Sequence, residues 1–133
     1  MITLIALVKR KQGLSKGEFR RHYEENHAPL ALKHLGSYMK EYRRSYPTHD
    51  AAFAFNEYEG PTGSQPVDGT LDYDCITTIR CQDLATLEKM NEKMMSPGVK
   101  DEIVRDEARF MNRSSVRIFI TEDCSSPRPV RLA

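Results

Sequence analysis

No run of apolar residues in this chain approaches the roughly 18 needed to cross a bilayer, so no membrane-spanning helix is expected. The apolar start, Met1 to Val8, is too short for a secretory leader, and its basic residues Lys9, Arg10 and Lys11 follow it rather than precede it. It reads as a strand. Cysteine is scarce: Cys75, Cys81 and Cys124 are odd in number and lack the paired spacing of a metal site or a disulfide framework. That points to a reducing, cytoplasmic setting. An excess of one charge is also missing. The 20 basic and 19 acidic residues leave a net charge of +1. With no aromatic-glycine ribonucleoprotein motif either, nucleic acid and anionic membrane are not expected partners. Histidines and carboxylates are scattered, so no metal site is expected. No lipidation signal stands at either end.

What is present suits one domain with a modest core, expected over 1–124 with a loose tail at 125–133. A first strand runs from Ile2 to about Arg10. Gln12-Gly13 turns the chain into a helix from Ser15 to about Leu32, opened by a capping box of Ser15 and Glu18. Pro29, which lacks an N–H and disfavours helix at Ala28, is expected to kink or end it. Tyr38 to Tyr46 reads as a second strand with Tyr38, Lys40, Tyr42, Arg44 and Tyr46 on one face. Residues from about 48 to 70 carry turn formers and read as a long loop. A third strand spans Asp72 to Arg80. Asp83 caps a helix with Leu84, Leu87, Met90 and Met94 on its inner stripe. Ser96 caps another, with Pro97 at its first position. Ser115 to Thr121 is the last strand. The order β-α-β-loop-β-α-α-β is a split βαβ repeat: an α+β, ferredoxin-like domain with one antiparallel sheet and helices on one face. The other face carries enough apolar residues that a homodimer is expected.

Phe19, Tyr23, His27 and Leu30 recur along one helical face, so His27 points inward. A buried imidazole at a helix bend is a candidate acid or base, and its alternative is a structural histidine satisfied by a carbonyl. Tyr23 could hold that ring or pack the core. Arg44 and Tyr46 share a strand face that either lines a cavity or forms a solvated edge. His49 lies just past the strand. Asp74, with Asp72 as its rival on the same face, could orient His27. His22 lies on the arginine-rich side and reads as solvated. His34 reads as a helix-dipole partner. No base accompanies the cysteines, so nucleophilic catalysis is not expected.

The opening Ile2 to Lys11, then Gly13-Leu14-Ser15, Glu18-Phe19, Tyr23 and His27-Ala28-Pro29-Leu30, and later Asp106 to Asn112, resemble the EthD domain family. The resemblance covers Ile2 to about Glu122, the loop near Gly60 apart. It implies a dimeric α+β barrel in which each subunit keeps a cavity between sheet and helices. It also implies a cofactor-free activity like that of fungal polyketide-pathway proteins, the dehydration or decarboxylation of anthrone-type carboxylic acids. In similar proteins the second strand often reads Tyr-x-Gln-x-His. Here Tyr42-Arg43-Arg44-Ser45-Tyr46 stands in its place, and acid–base work would pass to Tyr46 or His49. Asp74 matches an aspartate at the start of the third strand. Asp106 and Glu107 resemble a family feature and read as structural.

The expected function is therefore a lyase on an aromatic polyketide. His27, Tyr46, His49 and Asp74 are the catalytic candidates; Tyr23, Arg44, Tyr42 and Asp72 are the substrate-binding ones. The alternatives are a cofactor-independent cyclase or anthrone oxygenase on the same fold, or a non-catalytic binding or assembly protein.

Overall fold

A computed structural model describes residues 1–48, 53–55, 64–66 and 72–127. The elements follow in order: β1 (Ile2–Val8), α1 (Lys16–His22), a π-helical turn (Tyr23–His27) and α2 (Ala28–Leu35). After them come β2 (Glu41–Ser45), β3 (Phe53–Phe55), β4 (Ser64–Pro66), β5 (Cys75–Cys81), α3 (Leu84–Met94), α4 (Pro97–Phe110) and β6 (Arg117–Glu122). The main sheet has the order β2-β5-β1-β6, antiparallel throughout. This is the ferredoxin-like arrangement expected from the sequence. The segment read as one long loop contains a short antiparallel pair, β3 with β4.

Several boundaries differ from the sequence reading. The first helix does not end near Leu32; it passes Pro29 and continues to Leu35. The Ala28 N–H reaches back five residues to the Tyr23 carbonyl, and this wider turn gives the Pro29 ring room where a regular helix would clash. Ser15 caps as expected, with the Glu18 N–H donating to its Oγ and the Glu18 carboxylate accepting from the Ser15 N–H. Because the helix runs on, Tyr38 lies in a 3-10 turn (Gly36–Tyr38) and β2 starts at Glu41. Asp72 and Asp74 precede β5 rather than belong to it. The Asp74 N–H donates to the Val8 carbonyl and its carboxylate accepts from the Arg10 N–H, a junction between β1 and β5. Asp83 caps α3 through the Thr86 N–H, but Ser96 does not cap α4. Its hydroxyl instead donates to the Lys93 carbonyl at the end of α3.

Alternation along the strands sends Leu4, Ala6 and Val8 of β1, and Cys75, Thr77 and Ile79 of β5, toward the helices. Two clusters fill that layer. One joins Val8, Phe19, Tyr23, Cys75 and Phe110; the other joins Leu35, Cys81, Leu87, Met90, Val99 and Ile103. The opposite sheet face carries Ile5 and Leu7 of β1 beside Ile76 and Phe119, the last two exposed. No helix of the described residues is long and apolar enough to cross a membrane.

Candidate active site

A cavity of about 820 Å³ lies between the sheet and the helices. Its floor is the helix-facing side of the sheet, where Leu4 and Ala6 of β1 meet Thr77 and Ile79 of β5 and Tyr42 of β2. Tyr23 and His27 reach it from the π turn, and Ile118 and Ile120 of edge strand β6 line its open side. Most of the lining is aliphatic, as ligand cavities generally are, with a few converging polar groups.

His27 is the central polar group. It is 5% exposed, and its Nδ1 lies 2.9 Å from Oδ2 of Asp106, itself 5% exposed. A carboxylate accepts, so Nδ1 donates to it, and a neutral ring in this tautomer has its lone pair on Nε2. Among the described residues Nε2 has no hydrogen-bond partner. The second Asp106 oxygen meets Nε2 of His22 at 2.9 Å, and Arg109 stands at 3.6 Å. Phe110 packs against both imidazoles, stacked on His22 at 4.8 Å and tilted against His27 at 5.0 Å. His22 is therefore half-buried and bonded, not solvated. Asp106, read from the sequence as structural, makes ion-pair contacts to His22, His27 and Arg109, and its bond to His27 is the part the sequence reading gave to Asp74. A signal for it existed. Val99, Ile103, Asp106 and Phe110 occupy one stripe of α4 at helical spacing, and a carboxylate among buried apolar residues requires a partner.

Two phenols stand beside the imidazole. The Tyr23 hydroxyl is 2.5 Å from Thr77 Oγ1, and its ring meets His27 edge-on at 5.5 Å. Burial raises the Tyr23 hydroxyl well above the usual tyrosine range and pushes Tyr42 up to about 12. Both phenols stay protonated at neutral pH and are available as donors. Thr77, which the sequence reading did not single out, also lies 3.6 Å from Cys75, whose thiol burial pushes up to about 11. That thiol is not a nucleophile at neutral pH.

The remaining candidates lie elsewhere. Asp74 is engaged by Arg10, through the backbone N–H at 2.8 Å and the guanidinium at 3.4 Å, and Asp72 lies exposed before β5. Neither lines the cavity. Arg44 donates to both Glu24 oxygens, at 2.9 and 2.8 Å, and Tyr46 donates to the same carboxylate at 2.6 Å. Arg44 and Tyr46 do not line the cavity either, so their expected roles on substrate find no geometric support. His49 lies outside the described residues.

The Arg44 hydrogen bonds hold the Glu24 carboxyl at about 2, against its usual 4.5, with Tyr46 contributing. A carboxyl depressed on folding stabilises fully above its unfolded value and loses that contribution as pH falls toward its folded one. Glu24→Gln is therefore expected to lower the melting temperature at pH 7. The difference from the natural chain should shrink as pH falls from about 4.5 to about 2. A gap that persists unchanged at pH 2 in thermal melts would contradict this.

A family model for the EthD domain matches residues 11–114, which take in the motifs from Gly13 to Asn112. The chain belongs to the EthD family. Solved structures agree on the fold. An EthD-family protein of Bacillus halodurans superposes with a TM-score of 0.60 at 20% identity, covering 93% of this chain and 99% of that one. HapK from Hahella chejuensis gives 0.59 at 11% identity, covering 98% and 100%. An EthD-like protein from Ralstonia eutropha gives 0.56 at 14% identity, covering 91% and 89%. No curated protein matches the sequence. Among the described residues of this EthD-family chain, no group of three or more histidines, cysteines or carboxylates could hold a metal ion.

Proposed function

We propose that this EthD-family protein is a lyase on an aromatic polyketide, removing water or carbon dioxide by acid–base chemistry that needs no cofactor. The observation that carries this reading is the His27–Asp106 pair, its second imidazole nitrogen unpartnered among the described residues, on an apolar cavity large enough for a fused-ring ligand. Both reactions move a proton at a carbon beside a carbonyl and gather negative charge on oxygen. His27 takes and returns the proton. Asp106 fixes its tautomer and balances the imidazolium that forms. Tyr42, and Tyr23 as held by Thr77, supply protonated hydroxyls for the oxygen. The aliphatic walls pack against the rings. The reading includes a second copy of the chain over the sheet face carrying Ile5, Ile76 and Phe119.

The test is turnover by the purified protein, without added metal or cofactor, under air and under nitrogen. The substrates are a fused-ring β-hydroxy ketone and an anthrone-type carboxylic acid, and products are read by mass spectrometry. Loss of 18 or 44 mass units, on the order expected for one water or one carbon dioxide, in both atmospheres supports the lyase. Product gained only under air overturns it in favour of an oxygenase.

A further inference from the structure

One buried carboxylate serves two imidazoles. Oδ2 of Asp106 meets Nδ1 of His27 at 2.9 Å, and Oδ1 meets Nε2 of His22 at 2.9 Å. His22 does not line the cavity, and the acid–base chemistry above makes no use of it. The two histidines are five positions apart. On a uniform α-helix their side chains would point about 140° apart. The π-helical turn Tyr23–His27 lies between them, and closure five residues on brings such positions onto one side. Both rings therefore reach α4 together. Phe110, one turn beyond Asp106, backs the pair. It stacks on His22 with the planes 27° apart and lies tilted against His27.

The last torsion of an aspartate side chain is broad, so a carboxylate bonded through one oxygen swings about it. Two groups meet Oδ1 of Asp106. Arg109 stands 3.6 Å away, 62% exposed, in an i,i+3 surface pair of little weight. His22 is closer, at 2.9 Å, and half-buried against Phe110. His22 is the group that fixes the plane of the carboxylate. That plane matters to His27, because the hydrogen bond at one ring nitrogen decides which nitrogen carries the proton.

We propose that His22 is a positioning residue for His27. It pins the Asp106 carboxylate, which keeps the His27 proton on Nδ1 and the lone pair on Nε2, at the cavity. This rests on the acid–base reading of His27 and adds a second imidazole to it.

Isotopic nitrogen labelling of histidine and proton–nitrogen correlation spectra, at about pH 8 where a free imidazole is neutral, read the tautomer of each ring. The natural chain is expected to show His27 neutral with its proton on Nδ1. Any other state of that ring overturns the proposal. His22→Leu removes the donor and keeps an apolar contact for Phe110. It is expected to spread the His27 proton over both nitrogens and to lower kcat about tenfold or more, the weight of a hydrogen bond to a charged group. KM should stay within about twofold, since the cavity lining is untouched. His22→Gln, whose amide also donates to Oδ1, is expected to restore the Nδ1 proton and bring kcat to within about threefold of the natural chain. An unchanged His27 spectrum in His22→Leu, or a glutamine variant that behaves like leucine, overturns the proposal. The natural-chain spectrum and His22→Gln decide it even where His22→Leu fails to fold. Turnover is read on the β-hydroxy ketone and the anthrone-type acid. Turnover of neither, beside the expected spectra, brings down the lyase reading and leaves the positioning. Turnover that, like the tautomer, is indifferent to His22 brings down the positioning alone.

Discussion

The His27→Gln protein is expected to turn over substrate about 100- to 10,000-fold more slowly than the natural chain, the usual contribution of a positioned acid or base. Glutamine can still donate toward Asp106, but it has no nitrogen that takes a proton near neutral pH. The loss should fall on kcat more than on KM, because the cavity walls that bind the ligand are unchanged. Folding should survive the exchange. Asp106 keeps its hydrogen bond to His22 at 2.9 Å and the guanidinium of Arg109 at 3.6 Å, so its carboxylate is not orphaned. Steady-state kinetics with a circular-dichroism melt would check both parts. Activity within about twofold of the natural protein, with the melt unchanged, would remove His27 from the mechanism. Asp106→Asn should retain more activity than His27→Gln, since it disturbs the tautomer and leaves the reacting nitrogen in place.

Phe110→Ala is expected to cost about 3–5 kcal/mol of folding stability, the range for truncating a buried phenylalanine. The ring has no exposed surface and contacts Phe19, Tyr23, His22 and His27. Such a loss is a large part of the roughly 5–15 kcal/mol that holds a domain together. It also frees both imidazoles from the surface that fixes their planes, so kcat should fall even where the variant is held folded at low temperature. Phe110→Leu keeps most of the volume and should cost less, about 1.5 kcal/mol or under. Urea denaturation gives the comparison. An alanine variant that loses less than about 1 kcal/mol would show that the cluster collapses around the gap.

What the sequence made legible was whatever depends on spacing within one element. Ser15 and Glu18 placed the start of the first helix, and the period of two in Ile2 to Val8 placed the central strand. The interval of four between Phe19, Tyr23 and His27 placed the imidazole on the inner face. Pairings between elements were not legible in that way. Asp106 is 79 positions from His27, and Glu24 is 20 from Arg44. An aspartate close to the helix in space and one far along the chain look alike in a sequence. Arg44 was read from its strand face alone. Its reach to Glu24 depends on how the first helix crosses β2, which no local pattern encodes. Of the two outcomes expected at Pro29, the helix does not end there; its regularity breaks at the wide turn just before, which the chain could adopt where a regular turn was closed to it.

That wider turn ties the site to the length of the chain as well as to its letters. Phe19, Tyr23, His27, Ala31 and Leu35 are all buried, an unbroken series of fours. On a uniform helix each such step drifts by about 40°, so the series would wind away from the sheet. The surplus residue accommodated between Tyr23 and His27 resets the drift and lets one face serve both ends. A relative shorter by a single residue in this stretch would close the wide turn into a regular one and leave the residues beyond it in register with those before it. The change would fall on the turn that carries the imidazole, not on the helices flanking it. Length in this stretch is therefore a variable of the site, which the rest of the first helix can absorb without repacking.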